Sequence, residues 1–285
     1  DLVIVDEASQ ILEPMLIGLL AQFPKFVLIG DHKQLPAVVV QDVENSKIIE
    51  LELVDIGLKN RNVAFFERLY ERCVSEAWDW AIGQLNEQGR MHEDIMHFTN
   101  SHFYENALTC LPGLSRLKSP LIDLFPGVDR GNSLLTGRML YVNSHHENSY
   151  LLSKINEEEA IFVSGIVKQI GLLYKEAGKE FHENSLGIIC PFRAQIAQIR
   201  HQFMQDGVND EKISVDTVER YQGGARDIVI FSAVVQSESK LYQIISLDEN
   251  GVDRKLNVVI SRAKEQFILL GDKTILSSNR LYSHL

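Results

Sequence analysis

Asp6 and Glu7 end an apolar run at residues 2–5 and lead straight into Ala8 and Ser9. Carboxylates at the C-terminal end of a buried parallel strand stand at the sheet edge where ligands bind. In nucleotide hydrolysis the first acid of such a pair can hold Mg²⁺, and the second can orient or deprotonate the attacking water. The same residues also suit a helix cap, since Asp and Ser accept from free amides and acids favour a helix N-terminus. A second apolar run, residues 26–29, breaks at Gly30 and Asp31 and leads to Gln34. A glutamine there can bond a terminal phosphate oxygen or its water through a neutral amide. A plain strand-to-loop turn would use the same Gly and Asp.

Further along, single cations and small turns stand where strands and helices change over. Arg90 precedes a helix expected to begin near His92, a position that also suits an ordinary surface arginine. Phe192 and Arg193 follow the apolar run 186–190. They can meet a nucleic-acid strand by stacking and phosphate contact, or they can be packing and solvent-facing charge. Thr217 can donate to a backbone phosphate, and Gln222, Gly223 and Gly224 form a turn that lets backbone approach a ligand closely. Arg262, in Ser261-Arg262-Ala263-Lys264, closes an apolar helical pattern. It can act as an arginine finger, worth roughly 10³–10⁵ in rate, or merely complement a helix C-terminus.

The elements that must position these groups are strands expected at residues 2–5, 26–29, 139–142, 186–190, 228–235 and 266–270. Most are continuous apolar runs, as in strands covered on both faces. Helical patterns lie at 11–22, 65–77, 156–176 and 193–205. The second places Phe65, Phe66, Leu69, Cys73 and Val74 on one face; the third carries Ile161, Phe162, Ile166, Val167, Ile170 and Leu173. Strand alternating with helix gives an α/β class: a parallel sheet flanked by helices. Residues 113–137 read as loop and 236–251 as a polar, mobile stretch. The stretch GLLYKEAGKE, 171–180, mimics a phosphate loop, but its spacing is wrong and it reads as a helix ending at Gly178.

Bulk properties narrow the class. The chain has 285 residues, 45% hydrophobic and 24% charged, room for one large domain or two ordinary ones. No apolar run is long enough to span a bilayer, so no membrane partner is expected. Three cysteines without CxxC spacing argue against a disulfide framework or zinc site and for a reducing, cytoplasmic setting. The net charge of −11 disfavours a dedicated nucleic-acid binder. A local cationic groove can still serve, because the local field outweighs the sum.

Taken in order, DEAS, GDHKQLP, QGRMH, CPFRAQ, TVERYQGGARD and NVVISRAK resemble the motifs of superfamily 1 helicases, closest to the nonsense-mediated-decay RNA helicase group and its DNA-helicase relatives. The resemblance covers nearly the whole chain. It implies two RecA-like domains with ATP and Mg²⁺ between them and single-stranded DNA or RNA across the top. Asp6 would hold Mg²⁺, Glu7 would activate water, and Gln34, beside Gly30 and Asp31, would sense the γ-phosphate. Arg90 would reach that phosphate from the second domain, with Arg262 as the finger. Thr217, Glu219, Gln222 and Gly223 would join nucleotide to nucleic acid, with Phe192 and Arg193 on the strand. Departures from the family pattern are Gly89 for an aromatic, Glu93 and Ala37 for prolines, and Ala225 for an acid.

The family's GxxxxGK[ST] loop does not occur in the sequence. The expectation is therefore a C-terminal portion: residues 1–80 the remnant of a first RecA-like domain, residues 81–285 a complete second one. Alone it should hydrolyse ATP negligibly, and its remnant strands should self-associate, exchange or disorder over residues 1–75. The competing readings are a non-catalytic truncated helicase that binds nucleic acid or a partner, and a partner-only RecA-like scaffold.

Overall fold

Short aliphatic runs form the strands and amphipathic stretches cover them, in a computed structural model that describes residues 1–37, 39, 43–112, 134, 137–144, 154–221, 223–247 and 251–285. The expected loop at 113–137 lies almost wholly outside the described residues, as does Gln222. The chain divides into two compact units, Asp1–Leu85 and Asn86–Leu285.

In the first unit β1 (Val3–Val5) pairs in parallel with β2 (Phe26–Leu28), Val3 opposite Phe26 and Val5 opposite Leu28. Helices α1 (Glu13–Leu20), α2 (Val43–Ser46), α3 (Leu51–Asp55) and α4 (Phe65–Ser75) follow the first strand and then the second. Pro14 sits in the first turn of α1, where its missing N–H has no intrahelical partner to lose. Leu16, Leu20 and Phe65 bury against Val3, Val5 and Leu28 on one sheet face. On the other face Ile4 opposes Val27, and both are exposed. Arg68 on α4 donates through Nε to Glu13 Oε2 at 2.9 Å and through Nη1 to the Ile56 carbonyl at 2.7 Å, pinning α4 to α1. Val74, expected on the buried face of α4, is exposed instead.

The second unit is built on a five-stranded parallel sheet of order β5-β9-β8-β6-β7. Two short strands, β3 (Glu87–Gln88) and β4 (Thr109–Cys110), pair beside it, flanking α5 (Glu93–Phe103). The sheet strands are β5 (Met139–Asn143), β6 (Leu186–Cys190), β7 (Ser214–Thr217), β8 (Arg226–Ser232) and β9 (Ala263–Gly271). Between them run α6 (Glu157–Glu176), α7 (Arg193–Asp206), α8 (Glu238–Ile244) and α9 (Arg254–Ser261), with α10 (Lys273–Leu276) and α11 (Arg280–Ser283) last. β6 is buried at every residue, which is why it reads as an unbroken apolar run. α6 turns Val163, Val167, Ile170 and Leu173 onto this sheet, while Ile161 is exposed rather than on the apolar face. It ends at Glu176, and Gly178 follows at φ +64°, the left-handed stop that glycine adopts without strain.

Two expectations are corrected. The stretch at 236–251 is not simply a polar mobile segment: Ser237 caps α8, which buries Leu241 and Ile244. The edge strand β7 was not expected, because SVDT is short and half polar, with alternating burial.

Candidate nucleotide and nucleic-acid site

In the first unit the two strand ends meet. Ile29 N–H donates to the Val5 carbonyl at 2.8 Å, and Ala8 N–H donates to the Ile29 carbonyl at 2.8 Å. A Cβ on Gly30 would stand 2.9 Å from Ser9 N, so only glycine lets the second strand end pass this close. Asp31 N–H donates to Ser9 Oγ at 3.3 Å, and Gln34 Nε2 donates to Asp31 Oδ2 at 2.7 Å. Asp6 and Glu7 are exposed. Glu7 is held at φ +53°, a left-handed backbone that costs a non-glycine residue about 1–2 kcal/mol. Its amide donates to Asp6 Oδ1 at 2.9 Å. The structure thus gathers Asp6, Glu7, Gly30, Asp31 and Gln34 into one polar cluster at the C-terminal ends of β1 and β2. The cap alternative is realised only in part: a single 3-10 turn, Ala8–Gln10, follows, with no side-chain cap bond.

In the second unit the expected residues divide between the two ends of the sheet. At the N-terminal ends of β8 and β9, Arg226 pairs with Ala263, and Arg226 N–H donates to the Arg262 carbonyl at 2.9 Å. Arg262 sits between the end of α9 and the start of β9, so Ala263 and Lys264 open a strand rather than close a helix. Its side chain donates to the carbonyls of Val258 and Gly224, both at 3.3 Å, and the residue is only 2% exposed. Arg90 is exposed and reaches the Ser261 carbonyl through Nη1 at 3.4 Å, while His92 N–H donates to the Lys264 carbonyl at 2.7 Å. Arg90, Arg262 and the Gly223–Gly224 turn are therefore one cluster. Gln88 braces it: Oε1 accepts the amides of Arg90 and Met91 at 2.9 and 2.8 Å, and Nε2 donates to the Met91 carbonyl at 2.8 Å.

Thr217, Phe192 and Arg193 lie at the opposite end, where Cys190 pairs with Thr217 at the C-terminal ends of β6 and β7. The Phe192 ring has Lys240 Nζ 5.2 Å and Lys154 Nζ 5.9 Å from its centroid, so the aromatic surface carries two cations. Burial, and then the neighbouring Lys154, pull the Lys240 ammonium below its usual range. Burial would raise the Glu219 carboxyl, but its own backbone amide, Lys255 and Thr217 together hold it low. Lys255 Nζ lies 3.3 Å from Glu219 Oε1. Residues 218–225 connect the two ends: they leave β7 at Thr217 and enter β8 at Arg226. Tyr221 crosses β6 at Gly187, where any Cβ would overlap its hydroxyl.

Sequence reasoning missed the buried polar network around Glu159. Glu159, fully buried on α6, accepts from Ser232 Oγ at 2.6 Å, Asn156 Nδ2 at 3.0 Å, Val234 N–H at 3.1 Å and Ser144 Oγ at 3.3 Å. Gln195, buried on α7, accepts from Asn156 N–H at 2.7 Å and donates to the Asn156 carbonyl and Ser232 Oγ. The spacing Asn156-x-x-Glu159 was visible, but it reads as a capping box. Asn156 does cap α6, accepting from Glu159 N–H.

A family model described as an AAA domain, AAA_12, matches residues 62–274, and another, AAA_11, also described as an AAA domain, matches residues 1–42. The chain belongs to this AAA-domain family. Among curated relatives of this AAA-domain chain, the DNA replication ATP-dependent helicase/nuclease dna2 of Schizosaccharomyces pombe is 29% identical over 100% of this chain and 19% of its own length. The DNA polymerase alpha-associated DNA helicase A of Saccharomyces cerevisiae is 28% identical over 97% of this chain and 39% of its own length. This AAA-domain chain thus spans well under half of each relative. Among solved structures, that of the PRRSV helicase aligns at TM-score 0.42 and 13% identity, covering 95% of this chain and 34% of that one. The family match and its helicase relatives bear out the resemblance to superfamily 1 helicases, and the five-stranded parallel sheet is the RecA-like α/β fold which that resemblance implied.

Proposed function

We propose that the chain is the C-terminal ATPase and translocase portion of an ATP-dependent superfamily 1 helicase that unwinds or remodels DNA or RNA. The observation that carries this reading is the sorting of its polar residues. Arg90, Arg262 and Gly224 share one end of the second sheet, and Thr217, Phe192 and Arg193 share the other. In this reading residues 1–80 belong to a first RecA-like domain and residues 81–285 form the second.

The residues fit Mg²⁺ and ATP. Asp6 offers exposed carboxylate oxygens at a strand end. Mg²⁺ takes one or two such carboxylates and completes its shell with water and phosphate. Among the described residues no group of three or more His, Cys, Asp or Glu could hold a metal. Bound there, Mg²⁺ would neutralise phosphate charge, with Asp6 holding it. Glu7, the next residue, would serve as the base for the attacking water. Gln34, oriented by Asp31, would offer its amide to the terminal phosphate. Arg90 and Arg262 would supply positive charge to the transferred phosphoryl group. Gly30, Gly223, Gln222 and Glu219 would complete the nucleotide contacts, though Gln222 lies outside the described residues. At the other end of the second sheet Phe192 would stack on a base, while Arg193 and Thr217 would meet phosphates.

The setting is taken as cytoplasmic, in keeping with three free cysteines. No helix of the described residues is long and apolar enough to cross a membrane. The exposed apolar pair Ile4 and Val27 supports self-association of the first unit in isolation. Monomeric sedimentation of the chain at high concentration would refute that.

The test is strand-stimulated ATP hydrolysis by a longer form of the protein that carries a GxxxxGK[ST] loop, beside residues 1–285 alone. Activity confined to the longer form, and lost in Arg90→Ala and Arg262→Ala, supports the reading. Unchanged turnover in both variants overturns it. Strand binding without hydrolysis in the longer form selects the non-catalytic alternative.

A further inference from the structure

Glu159 takes no part in the chemistry proposed above, yet it gathers more donors than any other buried acid in the described network. Its partners come from separate elements. Ser144 follows β5, Ser232 ends β8, Val234 lies just beyond it, and Asn156 caps α6. Since β9 lies between β5 and β8, the carboxylate bridges two strands that do not touch each other. Gln195 extends the bridge to the first turn of α7, two residues from Arg193.

One partner is strained. Val234 has φ +55°, a left-handed backbone that a β-branched residue adopts only when its surroundings impose it. Both carboxylate oxygens lie within reach of its amide, at 3.2 and 3.1 Å. That amide fixes the direction in which the chain leaves β8 toward Ser237, the cap of α8, whose Lys240 stands over Phe192.

We infer that Glu159 is a positioning residue for single-strand binding: its acceptor-only carboxylate fixes the strained turn at Val234 and the start of α7, and so sets Phe192, Arg193 and Lys240 in register. The inference rests on reading this sheet end as the nucleic-acid face. Only a carboxylate satisfies the site. An amide in its place turns one oxygen into a donor, and that donor must face either Asn156 Nδ2 or Val234 N–H, neither of which accepts. A carboxylic acid can keep its proton only by donating to a hydroxyl such as Ser144, which surrenders that bond.

The site also titrates within reach of neutrality. Burial pushes the Glu159 carboxyl up to about 7, against the opposing pull of Ser232, Val234, Ser144 and Asn156. The groups coupled to it are Cys190 on β6, whose thiol burial raises well above its usual range, and Tyr141 on β5, raised to about 12 by burial and then by Asp272 and Glu159. Both remain neutral where Glu159 ionises. Asp216 on β7 lies beside Cys190. Charged residues on the elements that hold its partners include Glu157 and Glu158 on α6, Lys154 before it, Arg193 on α7 and Lys240 on α8.

The experiment uses the whole chain and two readouts at about pH 8. One is amide exchange at residues 232–236, corrected for intrinsic rate. The other is anisotropy of labelled oligothymidylate and oligouridylate. In Glu159→Gln protection at Val234 and affinity should both lie about tenfold below the wild type, one charge-assisted hydrogen bond's worth. Adding Val234→Gly, which tolerates positive φ without the bond, should recover affinity. Equal exchange and equal affinity in wild type and Glu159→Gln overturn the inference. Should Glu159→Gln fail to fold, Ser232→Ala, which cuts the link from Glu159 to Gln195, decides: wild-type exchange at Val234 together with wild-type affinity overturns it. Should the wild type bind neither oligonucleotide, the nucleic-acid reading fails, and equal exchange at Val234 in the two proteins would separately refute the role of Glu159.

Discussion

Gln88 offers the sharpest test of how the arginine cluster is held. Gln88→Ala removes the acceptor of two backbone amides and the donor to the Met91 carbonyl. The Arg90 amide can turn to water, because Arg90 is exposed. The Met91 amide cannot, because Met91 is 5% exposed. One orphaned buried donor costs about 1–3 kcal/mol and one lost bond to a carbonyl adds about 1, so the loss should be roughly 2–4 kcal/mol. With a urea slope of about 2–3 kcal/mol/M, the midpoint should fall by about 1 M. The two tryptophans separate the units: Trp78 and Trp80 both lie in the first, whereas far-ultraviolet dichroism sees both. The dichroism transition of the second unit should move while the tryptophan transition stays. Gln88→Glu keeps both acceptors but sets a carboxylate oxygen against the Met91 carbonyl, and should fall between. An unmoved dichroism midpoint in Gln88→Ala would show that the glutamine does not hold the loop, and the brace would have to be abandoned.

Gly187→Ala should cost about 1–3 kcal/mol by overpacking, since its Cβ would lie 2.8 Å from Tyr221 Cζ and 2.9 Å from Arg226 Cγ. In a double-mutant cycle Tyr221→Ala should cost less in that background than in the wild type, and strict additivity would argue against the crossing at β6. Arg68→Ala should destabilise the first unit by about 3–5 kcal/mol, because Glu13 is left charged and unpaired in a buried site, and Arg68→Met with Glu13→Leu should recover most of it. Equal unfolding midpoints for Arg68→Ala and the double variant would contradict this. The Glu159 carboxyl, raised to about 7 from an ordinary 4.5, binds more protons in the folded than in the unfolded chain between those values. Its contribution to stability therefore falls as pH rises through that window and stays low above it, by about 3 kcal/mol in total. The wild type minus Glu159→Gln difference, measured by denaturant titration at several pH values, should show that fall; a constant difference would refute the assignment.

What the sequence made legible follows from burial. Strands covered on both faces announce themselves: the apolar run 186–190 is β6 with no change of bounds. β7 escaped because an edge strand needs only alternate apolar residues, and SVDT offers a single buried aliphatic, Val215. α8 escaped because its polar composition hides two apolar residues facing inward. The motif at Arg262 was legible as residue types but not as a junction, since its last two residues already pair in β9. Glu159 was hidden by a simpler role, because its spacing from Asn156 suffices for a helix cap. No local pattern announces that Ser144 and Val234, residues far apart in the chain, converge on it. The left-handed backbone at Glu7 and Val234 has no local signature either, since neither residue favours it.

The order of strands in the second sheet bears on how the protein is made. β9 follows β5, β6, β7 and β8 in the chain, yet it lies inside the sheet, between β5 and β8. Among the described residues β5 has no other strand neighbour, so Met139 waits for Phe267 before it can pair. Sheets closed by such distant pairings form slowly and leave apolar strands open in the meantime. A nascent chain halted before Ala263 would lose more than one strand: β5 would be left unpaired, and β8 would present a bare apolar edge to whatever chain came near.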